Sequence, residues 1–327
     1  MKKERILHLE AAKYPEESLN ILESHFRLCR KVIQNQDELD KILNQNQFKC
    51  IFTRLGLNLY AENLKNQNSL DYIVTPTTGL NHIDVDHAKS KNIKIISLKN
   101  ETKFLKQITS TAEHTWSLIL NLIRKINETS LRVKAGSWSR DDLFIDELYG
   151  MSIGIIGFGR LGKIISEYAK AFKMNVYVFD IDSSAYKNID KSFIIVNSVD
   201  ELVKISDVVT LHIPYNNENI NFYGKNLFDK MKTDSYFINT SRGEIVDEEY
   251  LLRILSKKLI KGAALDVLKD DSVWIDEIPK NNSIRNYLNN NDNLLVTPHI
   301  GGYGVSSIKR TREFITSKFI KVYHNLT

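Results

Sequence analysis

The residues of this chain best suited to chemistry fall in a few short segments, and the first is glycine-rich. SIGIIGFGRLGKII places Gly157, Gly159 and Gly162 as GxGxxG, after the continuous apolar run Ile153–Ile156. A helical pattern through Leu161, Ile164, Ile165, Tyr168 and Ala169 follows it. A second apolar run, Val176–Phe179, ends in Asp180, 18 residues after Gly162. In that strand–turn–helix–strand context the motif reads as a dinucleotide-binding turn. Gly157 permits the tight turn, Gly159 lets the backbone approach a pyrophosphate, and Gly162 lets helix and strand pack closely. The pyrophosphate is expected on the unpaired N–H groups at the helix start, beside Arg160 and Leu161. Asp180 is placed to accept from the adenosine ribose hydroxyls and to repel a 2′-phosphate. No Arg follows it closely, so NAD is favoured over NADP.

Three later segments carry a cation, carboxylates and an imidazole. INTSRGEIVDEEYL places Arg242 just after an apolar run and beside Gly243. GAALDVLKDD ends another run with Asp266, Asp270 and Asp271, and LLVTPHIGG places His299 past a third run and a proline. In open parallel sheets, ligands bind outside the carboxyl ends of the strands, where all three segments end. Convergence of the three charge types on the cofactor is the expectation.

The elements that must position these groups alternate along the chain. Arg5–Leu9, Cys50–Thr53, Tyr72–Thr75 and Ile93–Ser97 read as strands, with helices over Pro15–Leu28, Asp37–Gln45 and Asp84–Lys91 between them. This βα alternation implies a parallel sheet covered on both faces. Lys103–Asn127 reads as one long helix, apolar at Phe104, Leu105, Ile108, Ala112, Trp116, Ile119 and Ile123, and long enough to span two domains. Residues 128–151 read as irregular. A second βα series starts at Ser152 and continues through Asn175–Phe179, Asp207–Leu211, Ser235–Asn239, Ile260–Asp266 and Leu294–Thr297. A helix over 303–324 closes the chain, and the Asn-rich stretch Lys269–Asn293 reads as an insertion or part of a site.

Composition narrows the class. At 327 residues there is room for two domains with proper cores, and 42% hydrophobic with 26% charged residues is ordinary for a globular chain. A net charge of +5 with no basic block gives no footprint for nucleic acid. No apolar run approaches the ~20 residues of a membrane span. Cys29 and Cys50 cannot build a disulfide framework and read as small core residues, so a cytoplasmic protein is the default. His82, Asp84, Asp86 and His87 read as a loop and first helical turn, where Asp favours the helix dipole, and no metal site is assigned. His114 reads as packed.

Taken together, TPTTGLNHIDVDHAKSKNI, STAEHTWSLIL, GIIGFGRLG, LHIPYN, NTSRG, ALDV and TPHIGG strongly resemble the D-isomer-specific 2-hydroxyacid dehydrogenase family, over nearly the whole chain. The resemblance implies an α/β fold of two Rossmann-like or flavodoxin-like parallel-sheet domains, the nucleotide-binding domain inserted into the substrate domain. Residues 1–102 with 299–327 form the substrate domain on this reading, and 103–298 the NAD-binding domain. It further implies hydride transfer between NAD(H) and a D-2-hydroxy acid or its 2-keto form, and a homodimer. His299 is then the general acid/base, Arg242 the carboxylate and carbonyl anchor, and the backbone near Gly79 and Leu80 a cradle for the substrate carboxylate. Arg54 stands where some members bind substrate. Asp266 lies near the nicotinamide carboxamide, with Thr240 and His212 along the cofactor.

One position departs from the family. Where it usually has Glu five residues after the Asp of ALDV, holding the catalytic His, this chain has Asp271. The charge is kept, but a side chain shorter by one methylene must approach more closely, and Asp270 is a possible substitute. Two rivals stay open. A non-catalytic NAD(H)-sensing interaction protein of the same fold is disfavoured by the Arg242, acid and His299 set. A formate dehydrogenase-like reaction is disfavoured by a carboxylate where that branch carries an amide.

Overall fold

The computed structural model describes residues 3–271, 274 and 277–325. The chain divides into two compact units, one mainly of Met1–Ile108 with Tyr303–Thr327, the other of Thr109–Asp271 with Ile278–Gly302. The division falls after Ile108 and Gly302, so His299 belongs to the second unit and residues 103–108 to the first.

In the first unit β1 (Arg5–His8) leads through α1 (Glu16–His25) to β2 (Arg27–Arg30), then α2 (Gln36–Gln45) and β3 (Cys50–Phe52). The chain continues with α3 (Ala61–Leu64), β4 (Tyr72–Val74), α4 (Val85–Ser90), β5 (Lys94–Ile96) and α5 (Thr102–Leu105). The strands form one parallel sheet in the order β2-β1-β3-β4-β5. Side chains alternate between its faces. Leu7, Ile51 and Ile73 enter one core with Leu39 and Leu43 of α2, while Ile6, Phe52 and Val74 enter the other with Leu19 and Leu22 of α1. The C-terminal helix, Val305–Tyr323, returns to that second core. Its Phe319 is fully buried, with ring centroids 5.4 Å from Phe26 and 5.3 Å from Phe52.

The second unit opens with α6 (Ser110–Ile123) and α7 (Ile126–Lys134), followed by β6 (Ser152–Ile156), α8 (Arg160–Ala171), β7 (Asn175–Phe179) and β8 (Ile194–Ile195). Then come α9 (Val199–Ile205), β9 (Val208–Leu211), α10 (Lys225–Phe228), β10 (Tyr236–Asn239), α11 (Glu248–Ser256), β11 (Gly262–Leu265), α12 (Ser283–Leu288) and β12 (Leu294–Val296). The sheet is parallel throughout, ordered β12-β11-β10-β9-β6-β7-β8. The chain order reverses between β6 and β9, which makes the carboxyl ends of those strands the switch point where ligands bind. Buried Ala112, Trp116, Ile119 and Ile123 of α6 pack in the core beneath.

Three readings need correction. The stretch 103–127 runs through α5, α6 and the start of α7, and α5 and α6 part because their apolar positions serve different cores: Leu105 and Ile108 the first unit's, Ala112 onward the second's. Residues 126–134 are helical although none is buried, so no apolar stripe announced the helix. Arg27–Arg30, read within or just after a helix, is an edge strand whose charged ends suit that position. Of the insertion at 269–293, residues 272–273 and 275–276 lie outside the described residues, and α12 occupies 283–288.

The C-terminal helix is therefore a core element of the first unit. Phe319→Ala should destabilise that unit by about 3–5 kcal/mol, the usual effect of deleting a buried aromatic ring. Urea unfolding measures this, and a loss under about 1 kcal/mol would contradict the packing.

Candidate active site

The glycine turn is built as its spacing requires. Gly157 follows β6 at φ +94°, and a Cβ there would lie 2.6 Å from the His212 carbonyl oxygen. A Cβ on Gly162 would overlap the Gly157 carbonyl oxygen, so helix and turn touch backbone to backbone. Gly159 is different: it is exposed, has ordinary extended backbone, and a Cβ would meet nothing within 4 Å. It caps α8, a 12-residue helix whose first N–H groups have no partners within the helix itself. Arg160 and Leu161 begin that helix, both half-buried.

Asp180, just past β7, ties the turn to the neighbouring loop. Its Oδ2 accepts from the Phe158 N–H at 2.7 Å and its Oδ1 from the Asp182 N–H at 2.9 Å. Each carboxylate oxygen keeps a lone pair for a hydroxyl donor. His212, just past β9, pairs its Nε2 with Thr210 Oγ1 at 3.0 Å, and its Nδ1 is buried without a partner. Burial pushes this imidazole down to about 3, so it is neutral. Thr240, buried just past β10, shares a 2.8 Å hydroxyl contact with Thr115 of α6. An open glycine cradle, an anchored carboxylate and an orphaned buried nitrogen around one switch point suit a dinucleotide.

His299 sits on a turn after β12 with left-handed backbone, φ +52°. Asp266, just past β11, holds that turn. Its carbonyl accepts the His299 N–H at 2.8 Å. Its Oδ1 accepts from Thr297 Oγ1 at 2.6 Å and the Ile300 N–H at 2.9 Å, and its Oδ2 from the Gly301 N–H at 2.7 Å. His114 of α6 lies 3.1 Å from Oδ1. Burial pushes the Asp266 carboxyl up, but hydrogen bonds from His114, Thr297 and the two backbone N–H groups outweigh that and leave it below the usual carboxylate range. Both oxygens are thus engaged by the chain itself.

The imidazole of His299 has its own acid. Nδ1 stands 3.0 Å from Asp271 Oδ2, and the same oxygen accepts the Leu268 N–H at 3.1 Å. The shorter side chain reaches; Asp270 is exposed and left-handed, at φ +62°. With Nδ1 held, Nε2 is the nitrogen left for proton exchange. Arg242 precedes a short helical turn, with Nη1 donating to the Ser241 carbonyl at 2.6 Å. Burial lowers its affinity for a proton, and the charges of Asp271 and Glu244 counter it.

Arg54, Gly79 and Leu80 lie in the first unit, past the carboxyl ends of β3 and β4. Arg54 donates from Nη1 to the Ile33 carbonyl at 2.6 Å. The Gly79 carbonyl accepts from Thr77 Oγ1 at 2.7 Å, and Thr77 meets Thr75 Oγ1 at 2.8 Å. Buried His82 supports that web through Thr75 at 3.2 Å, while Asp84 caps α4. Sequence reasoning missed one residue, Glu248, the first of α11. Its Oε1 accepts the Lys269 N–H at 2.7 Å, and burial pushes its carboxyl up to about 7, that hydrogen bond opposing and the Asp271 and Glu244 charges adding. No sequence signal marked it.

Residues 116–301 match the family described as D-isomer specific 2-hydroxyacid dehydrogenase, NAD binding domain. The chain is 30% identical over 276 residues to D-3-phosphoglycerate dehydrogenase of Bacillus subtilis, covering 83% of this chain and 48% of that protein. It is 27% identical over 318 residues to glyoxylate reductase of Pyrococcus furiosus, covering 94% and 89%. It superposes on a crystal structure of D-lactate dehydrogenase from Aquifex aeolicus complexed with NAD and lactic acid, with TM-score 0.80 and 28% identity, covering 98% and 96%. The chain spans about half the length of the phosphoglycerate dehydrogenases it matches.

The glycine geometry separates packing from binding. Gly159→Ala should leave the thermal midpoint within about 2 °C, since an added methyl meets nothing. It should weaken NADH binding about tenfold or more by filling the cradle, as a fluorescence titration would register. Gly162→Ala should instead lower the midpoint by several degrees. Equal effects on stability would refute the division.

Proposed function

Because the chain belongs to the D-isomer-specific 2-hydroxyacid dehydrogenase family, with its NAD-binding domain over residues 116–301, we propose that it interconverts a D-2-hydroxy acid and its 2-keto form. The observation that carries this reading is the 3.0 Å Asp271–His299 pair, on a turn at the carboxyl end of the same sheet as the glycine cradle.

Bound NADH supplies the hydride that C2 of the keto acid accepts. The chain's own groups do the rest. The N–H groups of Arg160 and Leu161, approached past Gly159, would seat the pyrophosphate on the turn that Gly157 and Gly162 shape, and Asp180 would take the ribose hydroxyls. His212, Thr240 and the Asp266-held turn would hold the nicotinamide end. His299 holds a proton on Nε2 and delivers it to the carbonyl oxygen as C2 is reduced; in the reverse direction it accepts that proton. Asp271 stabilises the imidazolium and fixes the ring. Arg242 anchors the substrate carboxylate through its planar fork. Arg54 and the backbone N–H groups of Gly79 and Leu80 are assigned to substrate on the family resemblance.

A homodimer completes the reading. Ile126, Leu131, Val133, Trp138, Phe144 and Tyr149 expose large apolar side chains within one stretch, Trp138 and Phe144 each at 82%. A surface of that kind suits a second copy of the chain. Cys29 and Cys50 are free thiols, which suits the reducing cytoplasm.

Assayed with NADH and NADPH against a panel of 2-keto acids, the protein should oxidise NADH with at least one and prefer it to NADPH. His299→Ala should lower kcat by about 10³-fold with NADH affinity unchanged; an active variant contradicts the assignment. In sedimentation velocity the wild type should run as a dimer and Trp138→Glu/Phe144→Glu as a monomer, whereas identical profiles would remove this surface from the interface.

A further inference from the structure

We propose that Glu248 is a positioning residue for the imidazole–acid pair, fixing through the Lys269 peptide the loop from which Asp271 reaches His299. The inference rests on the reading of His299 as the proton-exchanging group, but its central measurement needs no turnover.

The loop is held at two consecutive peptides. The Leu268 N–H goes to Asp271 Oδ2 at 3.1 Å, and the Lys269 N–H to Glu248 Oε1 at 2.7 Å. It is also seated: a Cβ on Gly243 would overlap the Leu268 carbonyl and the Lys269 nitrogen, so only glycine beside Arg242 admits the peptide there. Asp270 then turns the chain through left-handed backbone before Asp271. Glu248 therefore acts from α11 on the loop after β11, and that loop acts on the turn after β12.

The alternative role, a partner for the helix dipole, is already filled. Asp247 caps α11 by accepting the Tyr250 N–H at 3.0 Å, and the Glu248 carboxyl engages Lys269 instead. A dipole partner also has no reason to turn its carboxyl onto the peptide of a different loop, as Glu248 does. The demand for such a brace comes from Asp271. A carboxylate on one methylene has little slack, and a loop shift of about 1 Å would take its 3.0 Å contact beyond hydrogen-bonding range. Without Glu248 the Lys269 N–H loses its acceptor, and the loop can relax away from a conformation that a non-glycine residue at φ +62° does not favour.

The test is an NMR titration of the His299 ring, assigned from the spectrum of His299→Gln, in the full-length protein. Glu248→Ala should lower the His299 pKa by about half a unit or more, because the imidazolium loses its close anion. Glu248→Gln, which keeps an acceptor for Lys269, should restore the wild-type value. In an Asp271→Asn background Glu248→Ala should add nothing, since its effect runs through that carboxylate. Kinetically, Glu248→Ala should reduce kcat about 10–100-fold with NADH affinity unchanged, and Glu248→Gln should retain most activity. If the alanine variant does not fold, Glu248→Met, closer in volume, takes its place. An unmoved His299 pKa, or an equal shift in the Asp271→Asn background, overturns the proposal. Failure of the functional reading is separate: no keto acid is turned over by wild type, or His299→Gln stays active, while the titration still decides the role of Glu248.

Discussion

The turn that presents His299 depends on one buried carboxylate. Asp266 loses its hydration and receives in exchange a hydroxyl, two backbone N–H groups and the ring of His114, each within 3.1 Å. Without those donors a buried acid would be neutral and a poor acceptor. With them it clamps Thr297, Ile300 and Gly301 around a histidine whose left-handed backbone is costly by about 1–3 kcal/mol for a non-glycine residue. Every later feature of the site assumes that this clamp holds, because a relaxed turn would carry the imidazole away from Asp271.

Glycine provides the complementary constraint, by letting backbones meet where side chains would keep them apart. Gly162 brings α8 against the glycine turn, and Gly243 admits the 268–269 peptide beside Arg242. The second contact brings segments that are distant in the chain to one end of the sheet. Gly159 makes no such contact, which leaves the approach to the α8 N-terminus open. Within one motif, spacing that looks uniform in sequence therefore serves packing at two positions and access at the third.

Most of the sheet architecture was legible, because buried parallel strands advertise themselves as short apolar runs and their carboxyl ends mark where polar residues collect. The parallel sheets and the placement of Arg242, Asp266 and His299 just past strand ends follow from that alone. What stayed hidden has identifiable causes. The break between α5 and α6 is masked because a helical repeat does not reveal that its apolar positions face two different cores. α7 buries nothing, so it left no stripe. Glu248 and the double engagement of Asp266 depend on which backbone N–H groups come near, and side-chain identity carries no record of that. Asp266 read as a cofactor contact, yet the chain itself uses both of its carboxylate oxygens.

The short side chain of Asp271 shows how these constraints interact. A shorter acid can keep its contact only if its backbone comes closer to the imidazole, and a backbone can come closer only where nothing fills the space behind it or pulls it back. Gly243 leaves the space, Glu248 and Asp271 itself take the two peptide N–H groups, and Asp270 accepts the strained turn. One short acid is thus accommodated by four positions, three of which carry no charge or have no contact with the imidazole. This explains why the pair survives at 3.0 Å despite the missing methylene. It also means that the position of Asp271 beside His299 depends on the loop that carries it as well as on the acid itself.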